Sequence, residues 1–390
     1  FMLDTIVVGA GLVGSAAAKY LAKAGAKVLV LGAVKGSDDH VHSSHYDEAR
    51  VTRRMDPDPV WGLLGLKAIE AYANIEHQSG IPFHTPCGHL RIDLPSASSE
   101  SLHAQVFESA NDHGFKPEIL TEHDATARFP YLRASTLSSY LLEGPPAGII
   151  HPQKLIRAQL QLACSSGART EPTVGTQIKK ENGVFSVRTS SGQTHLADNV
   201  LVSTGAYTNL FDLTPRKLDL SIRPETVLLI AIPETLLHKF DSMPGIIWHF
   251  DDHPIYTNAY VLPPVLYPDG VYYIKIGADH DRDIHATDVE GYHEYMTSPG
   301  SMVTKRALHD LILKLIPDLR GLNTTSRPCL LTYTQSGKPI IDQLDAGHFV
   351  AVGGCGKSAK SSDQIGKLAA NMVLSNPWEK GFTQSMFAAS

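Results

Sequence analysis

A β-branched run, TIVV at residues 5–8, leads directly into GAGLVG at 9–14 and then SAAA at 15–18. Strand, glycine turn and helix in that order open a βαβ unit, and a second apolar run, KVLVL at 27–31, follows at the expected distance. Each glycine has a mechanical role. Gly9 makes the turn, Gly11 lets a pyrophosphate approach the backbone, and Gly14 lets the helix pack on the strand. The first N–H groups of the helix and its partial positive charge suit a diphosphate. The stretch is not a secretory apolar region, because the glycines interrupt it and Asp4 precedes it. The acidic residue expected after the second strand, for the ribose hydroxyls, is replaced by Gly32, which leaves Lys35 or backbone groups to hold the ribose.

A dinucleotide unit occupies only part of 390 residues, a length that suits two or three domains. Apolar residues at 43% and charged residues at 19% are globular composition. Lys and Arg number 34 against 40 Asp and Glu, and a net charge of −6 argues against nucleic acid or an anionic membrane as partner. No run approaches the roughly 18 apolar residues of a membrane span. Cys87, Cys164, Cys329 and Cys355 are too few for a disulfide scaffold and are not spaced as zinc ligands. A cytoplasmic enzyme without a metal is expected.

Residues 35–58 show no helical or strand period and read as a long loop, of a kind that is usually functional or disordered. Apolar spacing predicts helices over 61–77, 99–113, 153–165, 302–316 and 361–374. Strands are expected at 88–94, 174–187, 195–202, 226–232, 245–249, 259–262 and 271–276, and a strand plus glycine turn over 349–356. Helices alternate with strands at both ends of the chain while strands dominate its middle. The fold class is therefore α/β (α+β in two domains): a Rossmann-like nucleotide-binding domain with an inserted antiparallel-sheet substrate domain. The first is discontinuous, residues 1–84, 150–214 and 324–390; the second takes residues 85–149 and 215–323.

Three further motifs follow in order: YDEARVTR at 46–53, RPCLLTYT at 327–334 running on to PIID at 339–342, and GGCGKSAKSS at 353–362. Together with the glycine turn, they make the chain resemble the monomeric sarcosine oxidase and N-methyltryptophan oxidase family, within the D-amino-acid-oxidase-like flavoproteins. The resemblance covers essentially the whole length. It implies FAD, held by Gly9, Gly11, Gly14, Ser44, Arg50, Gly205, Gly353, Gly356 and Lys360 and joined through the flavin 8α position to Cys329 as an 8α-S-cysteinyl link. A thiolate can add to an electrophilic flavin carbon where positive charge is close; the plain alternative for Cys329 is a buried structural cysteine. Arg53 and Lys360 match the family's carboxylate clamp, a guanidinium with an ammonium. Lys275 matches a lysine that promotes the reaction with oxygen, though it also reads as the solvent face of an edge strand. Tyr260 matches a tyrosine facing the substrate amine, and it could equally be a core tyrosine. His280 lies one position beyond the family's histidine, where a one-residue shift reverses the side faced.

The resemblance implies an oxidase of a secondary (N-methyl or N-alkyl) amino acid. A hydride equivalent passes from the carbon next to nitrogen to flavin N5, water hydrolyses the imine, and O2 becomes H2O2. Tyr46, Leu331 and Cys355 depart from the family's usual residues around the substrate. They leave a larger secondary or N-methyl amino acid at least as well suited as sarcosine. The expected partners are that small molecule and O2, with the chain a monomer. The alternatives are a flavin dehydrogenase of the same fold and a flavin-binding subunit of a larger complex.

Overall fold

The computed structural model describes residues 2–33, 35–94, 97–133, 138–250, 253–278 and 284–389. Its first sheet is built on Leu3–Val8, which runs parallel to Val28–Leu31 on one side and to Thr194–Val202 on the other. Arg169–Glu171 extends the sheet beyond Val28–Leu31, and His348–Val352 lies parallel to Thr194–Val202. The run read as one strand over 174–187 is a hairpin, Gly175–Glu181 with Val184–Thr189. Asn182 and Gly183 turn it with φ of 52° and 83°, a pairing suited to a tight two-residue turn.

Helix Leu12–Lys23 packs on this sheet between Pro152–Ser165 and Ser358–Val373. A buried polar knot fastens the three helices. Lys19 pairs with Asp363, Tyr20 donates to the same carboxylate at 2.7 Å, and Gln159 donates to it at 3.3 Å while accepting from Ser15 at 2.6 Å. The knot sets the first and last helices against each other, and so the positions of both their N-termini. Helix Pro59–Ser79 is longer than its apolar period predicts because Asp58 caps it, accepting from the Val60 and Trp61 N–H groups at 2.9 and 3.3 Å, and Gly80 ends it in the left-handed region.

The second sheet has the order Thr324–Thr334, Leu220–Ile232, Tyr272–Gly277, Asn258–Leu266, Gly245–His249, His89–Asp93, Ser139–Glu143, Glu118–Leu120. Neighbours are antiparallel except Gly245–His249 with His89–Asp93, which are parallel, so the sheet is mixed rather than wholly antiparallel. Three of its strands contain prolines that break the usual strand signal, Asn258–Leu266 carrying Pro263 and Pro264 at a register shift between Leu262 and Val265. Pro328 lies on the edge strand, and Pro224 lies in the stretch of Leu220–Ile232 that has a partner on one side only. Thr324–Thr334, at the start of the segment assigned to the nucleotide domain, pairs along its whole length with Leu220–Ile232 in this second sheet.

The alternation of the second sheet explains the site. Leu90, Ile92, Ile246, Trp248, Ala259, Val261, Ile274 and Ile276 face one side, where Leu308, Leu311, Ile312 and Leu315 of helix Met302–Leu315 cover them. The intervening residues Arg91, Ile247, His249, Asn258 and Tyr260 line a cavity on the other side. A small third sheet, Arg50–Thr52 with Gly148–Ile150 and His84–Thr85, holds the loop that borders this cavity.

Candidate active site

The cavity encloses about 610 Å³ and runs from the first glycine turn to the inner face of the second sheet. That lies within the usual range for small-molecule sites. At its nucleotide end the three glycines divide their roles by contact. Gly9 has φ of 111°, and a Cβ there would lie 2.4 Å from the Ser203 carbonyl oxygen. A Cβ on Gly14 would lie 1.8 Å from the Gly9 carbonyl oxygen, so Gly14 serves packing and does not itself line the cavity. A Cβ on Gly11 would have no protein atom closer than 3.9 Å. That open backbone faces the cavity, and helix Leu12–Lys23 starts there with no side-chain cap and no acidic residue in its first turn. A diphosphate fits these donors.

Gly32 has a steric reason. Its Cβ would lie 2.3 Å from Ala10 Cβ, so the phosphate turn itself occupies the place of a ribose-binding acid. Lys35 does not line the cavity; its ammonium lies 5.7 Å from the Tyr46 ring centre. Ser43, Ser44 and His45 do line it, and burial pushes His45 down to about 3, with Arg50 and Lys35 adding to the effect, so it is neutral at pH 7. The last helix, Ser358–Val373, also begins at the cavity without a side-chain cap, after the Gly353–Gly356 turn. Gly205, Gly353 and Gly356 border the same space, so two helix starts and their glycine turns share it.

In the middle stand Arg50 and Cys329. Arg50 pairs with Asp47 and donates to the carbonyls of Ala49 at 2.9 Å and Ser44 at 2.5 Å. Burial disfavours its cation, and Asp47 more than restores it. Cys329 is buried and lines the cavity opposite Glu225, its cross-strand neighbour. Burial pushes its thiol up to about 11 while Arg50 pulls the other way. Tyr260 lines the cavity too, its hydroxyl's acidity suppressed by burial and by Glu225.

Lys275 is placed differently from either expectation. It lies on a central strand rather than an edge, is fully buried, and does not line the cavity. Its ammonium donates to Asp47 at 2.5 Å and to the Ala49 carbonyl at 2.6 Å, behind the loop that carries Arg50. Burial lowers it to about 8 against the pull of Asp47. Asp47 would be raised by burial, but Lys275 and Arg50 hold it well below the ordinary carboxylate range. Tyr267 donates to its other oxygen at 2.8 Å. His280 lies outside the described residues.

Arg53, Lys357 and Lys360 also line the cavity together. Behind them Asp56, fully buried, accepts from Lys357 at 2.9 Å, Lys360 at 3.0 Å and Arg53 at 3.2 Å. Burial pushes Lys360 down to about 7, with Asp56 opposing and the two other cations adding to the fall. Asp56 would be raised by burial, yet the three cations hold it well below its ordinary range. Three cations against one carboxylate leave positive charge facing the cavity. Asp56 and Lys357 escaped the sequence reading, as did Asp47 and Glu225. Asp47 and Asp56 stand three residues from Arg50 and Arg53, an ion-pair spacing visible in the sequence.

Residues 4–372 match the family described as FAD-dependent oxidoreductase. The chain is 25% identical to a monomeric sarcosine oxidase of Streptomyces avermitilis, over 95% of this chain and 93% of that protein. It is 28% identical to an N-methyl-L-tryptophan oxidase of Shigella dysenteriae over 57% of each chain. Among solved structures it resembles an unusual amino acid oxidase essential for nikkomycin biosynthesis, with a TM-score of 0.77 at 19% identity over 100% of this chain and 97% of that one. It also resembles the L-proline dehydrogenase of P. horikoshii, with a TM-score of 0.78 at 20% identity over 96% and 94% of the two chains. These last two likenesses concern the fold.

Proposed function

The chain belongs to the FAD-dependent oxidoreductase family, and we propose that within it the protein oxidises a secondary amino acid, N-methyl or N-alkyl, with molecular oxygen. When bound, the flavin would supply a two-electron acceptor for a hydride equivalent from the carbon beside nitrogen, with O2 as the final oxidant, reduced to H2O2, and water hydrolysing the imine.

The observation that carries this reading is the cluster of Arg53, Lys357 and Lys360 on the cavity wall, with Asp56 as the one carboxylate paired to all three. A buried cationic excess is costly until an anion meets it, and the carboxylate of an amino acid supplies one. Arg53 and Lys360 hold that carboxylate, and Tyr260 faces the amine. The reading takes the nucleotide domain as residues 1–84, 150–214 and 324–390, with Gly9, Gly11, Ser44, Arg50, Gly205, Gly353, Gly356 and Lys360 toward FAD. Cys329 would be joined to the flavin 8α carbon as a thioether, a bond that replaces one S–H and one C–H and so leaves the flavin reduced by two electrons until O2 reoxidises it, with Arg50 partly offsetting the burial that raises the thiol to about 11. Four free cysteines suit a reducing cytoplasm, and a monomer agrees with the name of the monomeric sarcosine oxidase relatives. No described helix is long and apolar enough to cross a membrane.

A panel of N-methyl amino acids, assayed for peroxide with the wild type, Arg53→Met and Lys360→Met, tests the substrate class. Unchanged apparent affinity in both variants removes the clamp. One observation favours the dehydrogenase alternative: Lys275 stands behind Asp47 instead of on the cavity wall. Slow reoxidation of the reduced enzyme in air would decide for it.

A further inference from the structure

Three imidazoles meet where residues 40–42 of the cavity loop lie against helix Val289–Thr297. His40 Nδ1 lies 2.8 Å from Glu290 Oε2, and the His40 and His293 rings stack with centres 3.9 Å apart. His42 Nε2 lies 2.9 Å from His293 Nδ1. One ligating atom from each of His40, Glu290 and His293 falls within 4.8 Å of the other two. These three residues do not line the cavity and have no part in the site described above.

Spacing and packing bring them together. Glu290 and His293 stand three apart on a helix and so share a face. Asp288 fixes the start of that helix, accepting from the Gly291 N–H at 2.8 Å. In the loop, Val41 packs on the apolar cluster of Tyr207, Tyr292 and Leu330, and the His42 N–H donates to the Tyr207 hydroxyl at 3.0 Å. His40 and His42 are seated by these contacts on either side of Val41. The cysteines carry no metal spacing, whereas HVH at 40–42 and EGYH at 290–293 do so once the fold joins them.

An ion pair alone accounts for only one of these contacts. To pair with Glu290, His40 would carry a proton, and with it a positive charge against the imidazole stacked on it. A divalent cation takes that proton's place and draws on a lone pair from each ring. The surroundings suit a cation. Residues 36–42 and 284–297 hold Asp38, Asp39, Asp288, Glu290 and Glu294 and no Lys or Arg, the reverse of the cationic cavity wall. The side chains of His40 and Glu290 are 43% and 62% exposed, so a hydrated ion reaches them and keeps water in its remaining positions.

We infer that His40, Glu290 and His293 form a site for a divalent transition-metal ion of the zinc class, which clips the cavity loop to helix Val289–Thr297. Two imidazoles with a carboxylate are ligands of that class, whereas magnesium and calcium favour oxygen alone. His42 steadies the His293 ring, the part that a hydrogen-bonding neighbour ordinarily plays for a metal-bound imidazole. The inference is independent of the reaction assigned to the cavity.

The test takes the flavin-containing enzyme, freed of metals with a chelator, and titrates it with Zn2+ alone by calorimetry at neutral pH. The wild type should bind one tight equivalent per chain and unfold at a higher temperature once loaded. His40→Asn and His293→Ala should each weaken that binding by more than about tenfold and abolish the rise in unfolding temperature. Asn accepts the left-handed backbone of His40, with φ of 55°, so the first variant removes the imidazole without straining the loop. His77→Ala and His123→Ala, at exposed histidines elsewhere, should leave binding as it was. Absence of a tight equivalent in the wild type overturns the inference. So does a loss of less than about tenfold in either site variant, or an equal loss in the two controls. A rise in unfolding temperature that persists in His293→Ala overturns the clip.

Discussion

Replacing Gly32 with Asp would restore the acid that a dinucleotide site ordinarily places at this point, and two effects then compete. A carboxylate hydrogen-bonded to ribose hydroxyls is worth about 1.5–3 kcal/mol of binding. Against it stands the Cβ, which would lie 2.3 Å from Ala10 Cβ and 3.0 Å from Ala10 N, where carbons rest at roughly 3.5–4.0 Å. The turn would have to retreat by more than about 1 Å. It has nowhere to go: Gly9 N–H donates to Leu31 at 2.8 Å, Ser203 Oγ donates to the Gly9 carbonyl at 2.9 Å, and Gly9 already abuts the Ser203 backbone. Overpacking of this kind costs about 1–3 kcal/mol, and any shift also misaims the N–H groups meant for the diphosphate. Urea unfolding of the flavin-free protein should therefore show Gly32→Asp destabilised by about 1–3 kcal/mol, with a lower flavin-to-protein absorbance ratio after purification. Ala10→Gly removes the 2.3 Å contact, so the double variant should recover a large part of the loss, a coupling that independent sites do not show. Parental stability in Gly32→Asp with equal or higher flavin content would refute the steric account.

Arg53→Met and Lys360→Met should each weaken binding of carboxylate substrates by roughly ten- to a hundredfold, read as KM rising more than kcat falls. Acid precipitation should leave yellow flavin in the pellet of the wild type and in the supernatant of Cys329→Ser; a yellow mutant pellet would place the link elsewhere. Because burial lowers Lys360 to about 7 and Lys275 to about 8, both lysines bind protons in the unfolded chain, up to their ordinary range near 10.5, that the folded chain does not bind. Stability should therefore rise between pH 7 and 9, by the order of 2 kcal/mol, in urea titrations; a flat or falling profile contradicts the placement of these lysines. Asp363→Asn should cost about 3–5 kcal/mol by stranding the buried Lys19 ammonium, measured as a fall in the unfolding midpoint.

The parts of this molecule that repeat with a period were legible in the sequence. The βαβ opening, the helices over Pro152–Ser165 and Met302–Leu315, and strand Gly245–His249 follow from apolar spacing and glycine placement. Thr324–Thr334 and Ile340–Asp345 did not, the first because Pro328 interrupts a strand whose edge position tolerates it. The cations of the site were legible as residues and illegible as a charge balance. Arg53 and Lys360 are 307 positions apart in the chain, and Asp56 between them becomes meaningful only once both point at it. Arg91 was hidden for a different reason. HLRID at 89–93 reads as an ordinary alternating strand, and whether its polar side meets water or a cavity depends on what distant parts of the chain place there.

The loop without a period turns out to carry the organising chemistry. Within ten residues it presents Asp47, Arg50, Arg53 and Asp56, two arginines each paired with an acid three positions away. The two acids then recruit lysines from separate elements of the fold: Asp47 takes Lys275 from the second sheet, and Asp56 takes Lys357 and Lys360 from the start of the last helix. One segment thereby ties the second sheet and the last helix together through buried charge, and the count differs at its two ends. Around Asp47 two cations meet one acid; around Asp56 three do. On the proposed reading an anionic substrate is drawn to the Asp56 end, which leaves Arg50, beside Cys329, for the cofactor. Fixed dipoles and charges of this kind cost no reorganisation when a substrate arrives. A solvated loop of equal charge would have to be ordered first, which is why the acids, and not only the arginines, belong to the binding machinery.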